Sequence, residues 1–182
     1  MAPNLLAHHL GILERAGLVR RVVSEGDRRR SYVQVVADAV DQIALAPARI
    51  EAARVLFICT RNSARSILAA ALWDRVSAVP ASSAGTVPAP RVHPMAHAAA
   101  RRAGFDLGDA CPRHVGDVAR TGDLVVSTCD GAHESLVGGM PPAIHWSIAD
   151  PVRVGTGAAF DRALADLSGR VVVLAAVVVQ VP

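Results

Sequence analysis

From residue 54 onward, short apolar runs alternate with helix-like segments, and this alternation restricts the fold more than any other feature of the sequence. VLFI (55–58) reads as a buried strand, SILAAALWDRV (66–76) as a helix, and HPMAHAAARRAG (93–104) as a second helix with proline in its first turn and glycine at its end. DLVVST (123–128) and AIHWSI (143–148) read as strands, the second shorter, and GAAFDRALADL (157–167) as a helix. The closing VVVLAAVVVQV suits either state, since valine favours strand while the preceding helix could also continue through it. Strands that alternate with helices must run parallel, with helices on both faces of the sheet. The expected class is therefore α/β with an open parallel sheet.

The first residues follow a different pattern. Leu5, Leu6, His9, Leu10, Leu13 and Ala16 recur at helical spacing, and Gly17 stops that helix as a C-terminal glycine would. LVRRVVSE and SYVQVVA then flank GDRRR, which predicts a basic-tipped hairpin. An Ala-rich, Pro-containing stretch joins this block to the rest. The expected division is an amino-terminal segment over 1–38, a linker over 39–53 and a main domain over 54–182.

About half of the 182 residues are apolar, enough for a real core. The longest apolar run, VVVLAAVVV (171–179), falls short of the ~18 residues that span a bilayer, and no signal-peptide pattern opens the chain. These features predict a cytoplasmic protein with no membrane partner. Cys59, Cys111 and Cys129 are odd in number, widely spaced and without a CxxC pair, so free thiols are expected, with no metal site and no tightly bound cofactor.

CTRNSARS (59–66) lies between the first strand of the main domain and the helix after it. Successive backbone N–H groups in such a loop, with those of the helix it opens, form a concave site for a tetrahedral anion. Arg65 can clamp two anion oxygens with its fork, and the same positive field favours thiolate over thiol at Cys59. Cys59 is thus the candidate nucleophile. Thr60, Arg61, Asn62, Ser63, Ala64 and Ser66 complete the oxyanion-binding loop.

This C-x5-R-S loop resembles that of the low-molecular-weight protein tyrosine phosphatases and of the arsenate reductases that share their fold. The likeness continues through SAGTVPAP (83–90), DLVVSTCDGAHE (123–134) and HWSIADPV (145–152). It implies Cys59 as nucleophile, Arg65 as anion clamp, Ser66 as hydroxyl donor to the thiolate, Asn62 as the residue that shapes the loop, and Asp150 as general acid. Loops after parallel strands all emerge at the carboxyl edge of the sheet, so Asp150 can meet Cys59 there despite their separation.

The same resemblance bears on substrate. Arg61-Asn62 stands where the tyrosine phosphatases usually have Gly-Asn, Val152-Arg153 where they have tyrosines, and NSARS is similar to the arsenate reductase version. Arsenate is therefore the expected oxyanion, with phosphate esters as the alternative. Cys129 occupies the place of a resolving thiol, yet Glu134 to Val137 offers no third cysteine for an internal relay. The expected reductant is external: mycothiol, glutathione or thioredoxin. Cys129 equally suits a small buried residue, which is the expectation for Cys111. Ile67 replaces the glutamine common in reductases.

NLLAHHLGILERAGLVRRVVSEGDRRRSYVQV looks like the recognition helix and wing of ArsR-family winged-helix repressors. The resemblance implies DNA contacts at Asn4, His8, Arg28, Arg29 and Arg30. The chain opens at the recognition helix, so the segment is expected to be a truncated winged helix. A DNA-binding regulator carrying a phosphatase-like domain is a third functional alternative.

Overall fold

The computed structural model describes residues 3–36, 49–136 and 138–181. The chain divides into two compact units, residues 1–47 and 48–182.

The first unit contains helix α1 (Pro3–Arg15) and strands β1 (Val19–Val23) and β2 (Ser31–Val35), paired antiparallel from Val19↔Val35 to Val23↔Ser31. Gly17 ends α1 at φ 72°, where glycine is favoured, and Leu18 N–H closes the cap by donating to Leu13 O. The helix and basic hairpin thus form as expected. Leu5, Leu6, Ile12 and Leu13 are exposed, so the apolar stripe of α1 does not build a core. His8 and Arg28 are exposed. Arg29 grips the Asp27 carboxylate at 2.9 and 3.0 Å and Arg30 approaches it at 3.5 Å, so this part of the hairpin tip is partly neutralised. The expected contact at Asn4 involves a side chain outside the described set.

The second unit begins with β3 (Ile50–Ala52) and β4 (Arg54–Cys59), continues with α2 (Arg65–Trp73), β5 (Ala81–Gly85), α3 (Pro94–Arg102), α4 (Val115–Val118), β6 (Asp123–Ser127) and α5 (Asp130–Leu136), and ends with β7 (Ile144–His145), α6 (Pro151–Val154), α7 (Gly157–Ala175) and β8 (Val178–Gln180). The sheet has the order β5-β4-β6-β7, all parallel. The chain leaves β4 to one side for β5 and then crosses to β6 on the other. The carboxyl end of β4 is therefore a topological switch point, where open α/β sheets bind ligands.

Alternation along β4 supplies two cores. Val55 and Phe57 face α2, α3 and α7, packing with Leu68, Trp73, Phe160 and Leu167. Leu56 and Ile58 face α4 and α5, packing with Val115, Val118, Ala132 and Leu136. Helices on both faces are what the alternation predicted. Each fully buried side chain of this kind contributes about 1.5–3 kcal/mol. In α7 the buried positions Phe160, Ala163, Leu164, Leu167, Val171 and Leu174 recur at helical spacing, and Thr156 caps the helix by accepting from Ala159 N–H at 3.3 Å.

Several expectations change. Residues 50–52, placed in the linker, form β3 and pair with β8 in parallel from Ile50↔Val178. The ambiguous terminal run divides, with α7 continuing to Ala175 before β8 begins. The strand expected over 143–148 shortens to β7, because Trp146 and Ile148 turn into the core beside Phe57. Cys111, expected buried, is exposed, while Cys59 and Cys129 are buried. No helix among the described residues is long and apolar enough to cross a membrane.

Candidate active site

The loop between β4 and α2 turns tightly around Cys59. Asn62 is its pivot, at φ 46°, in the left-handed region that asparagine tolerates better than most residues. The side chain is fully buried and serves three partners. Its Nδ2 donates to Ser66 Oγ at 2.8 Å and Ser83 Oγ at 3.1 Å, and its Oδ1 accepts from Arg113 N–H at 2.8 Å. One residue thus ties the loop to α2, to β5 and to the segment before α4. Gly85, at the end of β5, packs under it. A Cβ there would stand 2.9 Å from Thr60 O and 3.0 Å from Asn62 N, so only glycine allows the approach.

The Cys59 sulfur lies at the base of this turn, in a residue that is only 2% exposed. Asn62 N–H donates to it at 3.2 Å, and Ser66 Oγ lies 3.1 Å away. Asn62 Nδ2 also donates to Ser66 Oγ, and the contact between that hydroxyl and the sulfur can run in either direction. When Cys59 reacts as a thiolate the hydroxyl must donate, and the sulfur then receives two hydrogen bonds. Helix α2 begins at Arg65 with Ala64 as its N-cap, a residue with no capping group, so the first N–H groups of the helix are not claimed by a cap side chain.

Arg65 is buried, with only 7% of its surface exposed. Its Nη1 donates to Ile148 O at 3.0 Å and its Nη2 pairs with Asp150 Oδ2 at 3.1 Å. Asp150 also caps α6, accepting from Val152 N–H at 3.0 Å through its other oxygen. Nucleophile candidate, cation and carboxylate line one cavity of about 590 Å3, shared with Arg61, Ser63, Ala64 and the segment 89–95. That segment is laced to the loop: Val87, Ala89 and His93 N–H groups each donate at 2.8 Å to the carbonyls of Thr60, Arg61 and Ser63.

Cys129 lies on the other side of the loop. It accepts from Thr60 N–H at 3.3 Å, with Thr60 Oγ1 3.4 Å away. Burial pushes its thiol up; Arg65 opposes that shift and Cys59 adds to it. The exposed Cys111 is not among the residues lining the cavity.

The structure therefore brings together Cys59, Ser63, Ala64, Arg65 and Asp150 around one cavity that Arg61 also lines, with Asn62 and Ser66 bracing the sulfur and Thr60 facing Cys129. The amino-terminal DNA-contact candidates belong to the other unit. Sequence reasoning missed Ser83, Gly85 and the Arg113 and Ile148 backbone groups, which fix Asn62 and Arg65. Only the SAG of SAGTVPAP hinted at two of them. Among the described residues no cluster of three or more His, Cys, Asp or Glu side chains could hold a metal ion.

Residues 54–180 match the family described as low molecular weight phosphotyrosine protein phosphatase. The arsenate reductase from Archaeoglobus fulgidus DSM 4304 is 31% identical, with a TM-score of 0.58 over 67% of this chain and 98% of that one. An arsenate reductase in the phosphate binding state is 25% identical, with a TM-score of 0.57 over 68% and 96% of the two chains. The low molecular weight protein tyrosine phosphatase from T. tengcongensis, at 24% identity and a TM-score of 0.57 over 66% and 96%, shares the fold. No curated protein matches the chain.

Proposed function

The chain belongs to the low molecular weight phosphotyrosine protein phosphatase family, a family of cysteine-dependent enzymes, and from that premise we propose that it is an arsenate reductase that uses an external thiol. In this reading the Cys59 thiolate attacks arsenic, the loop N–H groups and Arg65 hold the arsenate oxygens, and Asp150 supplies a proton to the departing oxygen. Ser66 and Asn62 hold the sulfur in line. The adduct on Cys59 is then resolved by mycothiol, glutathione or a thioredoxin.

The observation that carries the choice of arsenate is the wall of the cavity. Ala89, Pro90, Val92, Pro94, Met95 and Val152 line it, and among the described residues no Phe, Tyr or Trp joins them. A phosphotyrosine ring would find no Phe, Tyr or Trp face to stack on there, and the His93 imidazole is already stacked on Phe160. The buried, neutral Cys129 thiol supports an external reductant, since a thiol pushed up is a weak attacking group near neutral pH.

Arsenite production from arsenate, with mycothiol, glutathione and thioredoxin systems supplied separately and Cys59→Ser as control, tests the reading. Turnover with one reductant supports it and identifies the coupling thiol. A second reading, a phosphatase, is favoured by the place of Asp150 in the same cavity lining as Cys59, where a carboxyl group can pass a proton to a leaving ester oxygen. Cys59-dependent hydrolysis of an aryl phosphate without arsenite formation would select it. DNA contact through His8 and Arg28 is a separate proposal, tested by duplex binding that weakens steeply with salt.

A further inference from the structure

The cavity over Cys59 is larger than an oxyanion requires. A tetrahedral anion fills only the cup of the loop, whereas about 590 Å3 lies in the range of sites that hold organic ligands. Its charge is also unbalanced. Asp150 meets Arg65 at 3.1 Å and is the only acidic residue in the lining among the described residues. Arg61 and Arg91 stand in the same lining, are exposed, and make no side-chain ion pair or hydrogen bond among the described residues. Their backbones are nonetheless fixed. Ala89 N–H donates to Arg61 O and His93 N–H to Ser63 O, both at 2.8 Å, so the segment carrying Arg91 is tied to the loop carrying Arg61. Two unneutralised guanidinium groups, carried on tied backbone segments, thus share the cavity with an aliphatic wall.

From this arrangement we propose that the outer cavity binds the external thiol, and that Arg61 and Arg91 select a small thiol bearing carboxylates on an aliphatic body over an uncharged one. The inference rests on the reductase reading and names its co-substrate. Guanidinium forks match carboxylates geometrically, and the pair would hold the thiol with its sulfur over Cys59. Cys59 Sγ bonds to arsenic as an As–O bond breaks and the oxygen leaves as water. The co-substrate thiolate then attacks Cys59 Sγ, an S–S bond forms, the S–As bond breaks, and its electron pair reduces As(V) to As(III), released as arsenite. A second molecule of the same thiol class cleaves the mixed disulfide and frees Cys59, so two thiols are oxidised for each arsenate reduced.

The test needs no turnover. Cys59 alkylation by iodoacetamide is followed by mass spectrometry in the presence of S-methylglutathione, which keeps both carboxylates but cannot react, and of its diethyl ester, which has none. The acid should protect at about tenfold lower concentration than the ester, equivalent to roughly 1.4 kcal/mol. Arg91→Gln should bring the acid towards the level of the ester, Arg61 keeping part of the difference, and added salt should weaken protection by the acid alone. S-methylated mycothiol, which has no carboxylate, should behave like the ester. Equal protection by acid and ester, no protection by either, or an acid effect untouched by both Arg91→Gln and salt would overturn the proposal. Selective protection without arsenate reduction would instead sink the reductase reading and leave the carboxylate site standing.

Discussion

Replacing Asn62 separates what its side chain contributes from what its backbone conformation demands. Asn62→Ala removes three hydrogen bonds, to Ser66, Ser83 and Arg113, from a fully buried position. At a net of about 1 kcal/mol each, this loses roughly 3 kcal/mol. Alanine at φ 46° adds about 1 kcal/mol of left-handed strain. The expected total is about 4 kcal/mol, a large share of the 5–15 kcal/mol typical of a domain. Asn62→Gly loses the same hydrogen bonds but not the strain, and part of that relief is returned as unfolded-chain entropy of roughly 0.4–1 kcal/mol. Glycine should therefore lie at or slightly above alanine in stability, and both far below asparagine. Urea unfolding followed by the fluorescence of the buried Trp73 and Trp146 measures all three proteins. Activity should fall with stability lost, and should stay low under conditions where each variant is folded, because the Cys59 sulfur loses the turn that presents Asn62 N–H. Destabilisation below about 1 kcal/mol in both variants would refute the reasoning, since three buried hydrogen bonds would then be contributing nothing.

Arg65→Lys should lower kcat/KM by about 100-fold or more in a Cys59-dependent assay, because one ammonium cannot reach Ile148 O, Asp150 and an anion as the guanidinium fork does. Cys129, whose thiol is pushed up, is protonated more strongly in the folded state than in the unfolded one. The stability this contributes is complete below the ordinary thiol range and is lost as pH rises through the folded pKa, so Cys129→Ala should flatten the alkaline fall in urea midpoint; an unchanged fall refutes it. The same burial should make Cys129 alkylate far more slowly than the exposed Cys111 at neutral pH, read by peptide mass mapping. Arg54→Ala should destabilise the fold by about 3–5 kcal/mol, because Arg54 pairs with the nearly buried Asp123 at 2.6 and 2.8 Å and also donates to Val118 O.

What could be read from the sequence depended on whether a signal was local. VLFI and DLVVST carry enough buried, β-branched side chains to announce β4 and β6, and CTRNSARS carries its chemistry in one continuous stretch. β5, ASSAG, has no bulky residue to betray a strand, because its task is to let Thr60 and Asn62 pack closely over Gly85. α4 is a single turn, too short for periodicity to show. β3 and β8 have three residues each and meet only through a pairing between the two ends of the unit, which neither segment encodes alone.

β7 shows how the site itself overrides a local pattern. AIHWSI alternates like a half-buried strand, yet the ladder stops at His145. Trp146 N–H makes one further bond to Ser127 O at 2.7 Å, after which the chain turns so that Trp146 and Ile148 enter the core beneath Phe57. The turn frees the Ile148 carbonyl from sheet pairing, and that carbonyl is the one that receives Arg65 Nη1. Two residues later the same excursion delivers Asp150 to Arg65 Nη2. Had the strand continued to Ile148, its carbonyl would face a neighbouring strand or the sheet edge, and Arg65 would lose one of the two contacts that orient its fork toward the cavity. The shortened strand is thus the means by which the last strand of the sheet aims the cation of the first loop.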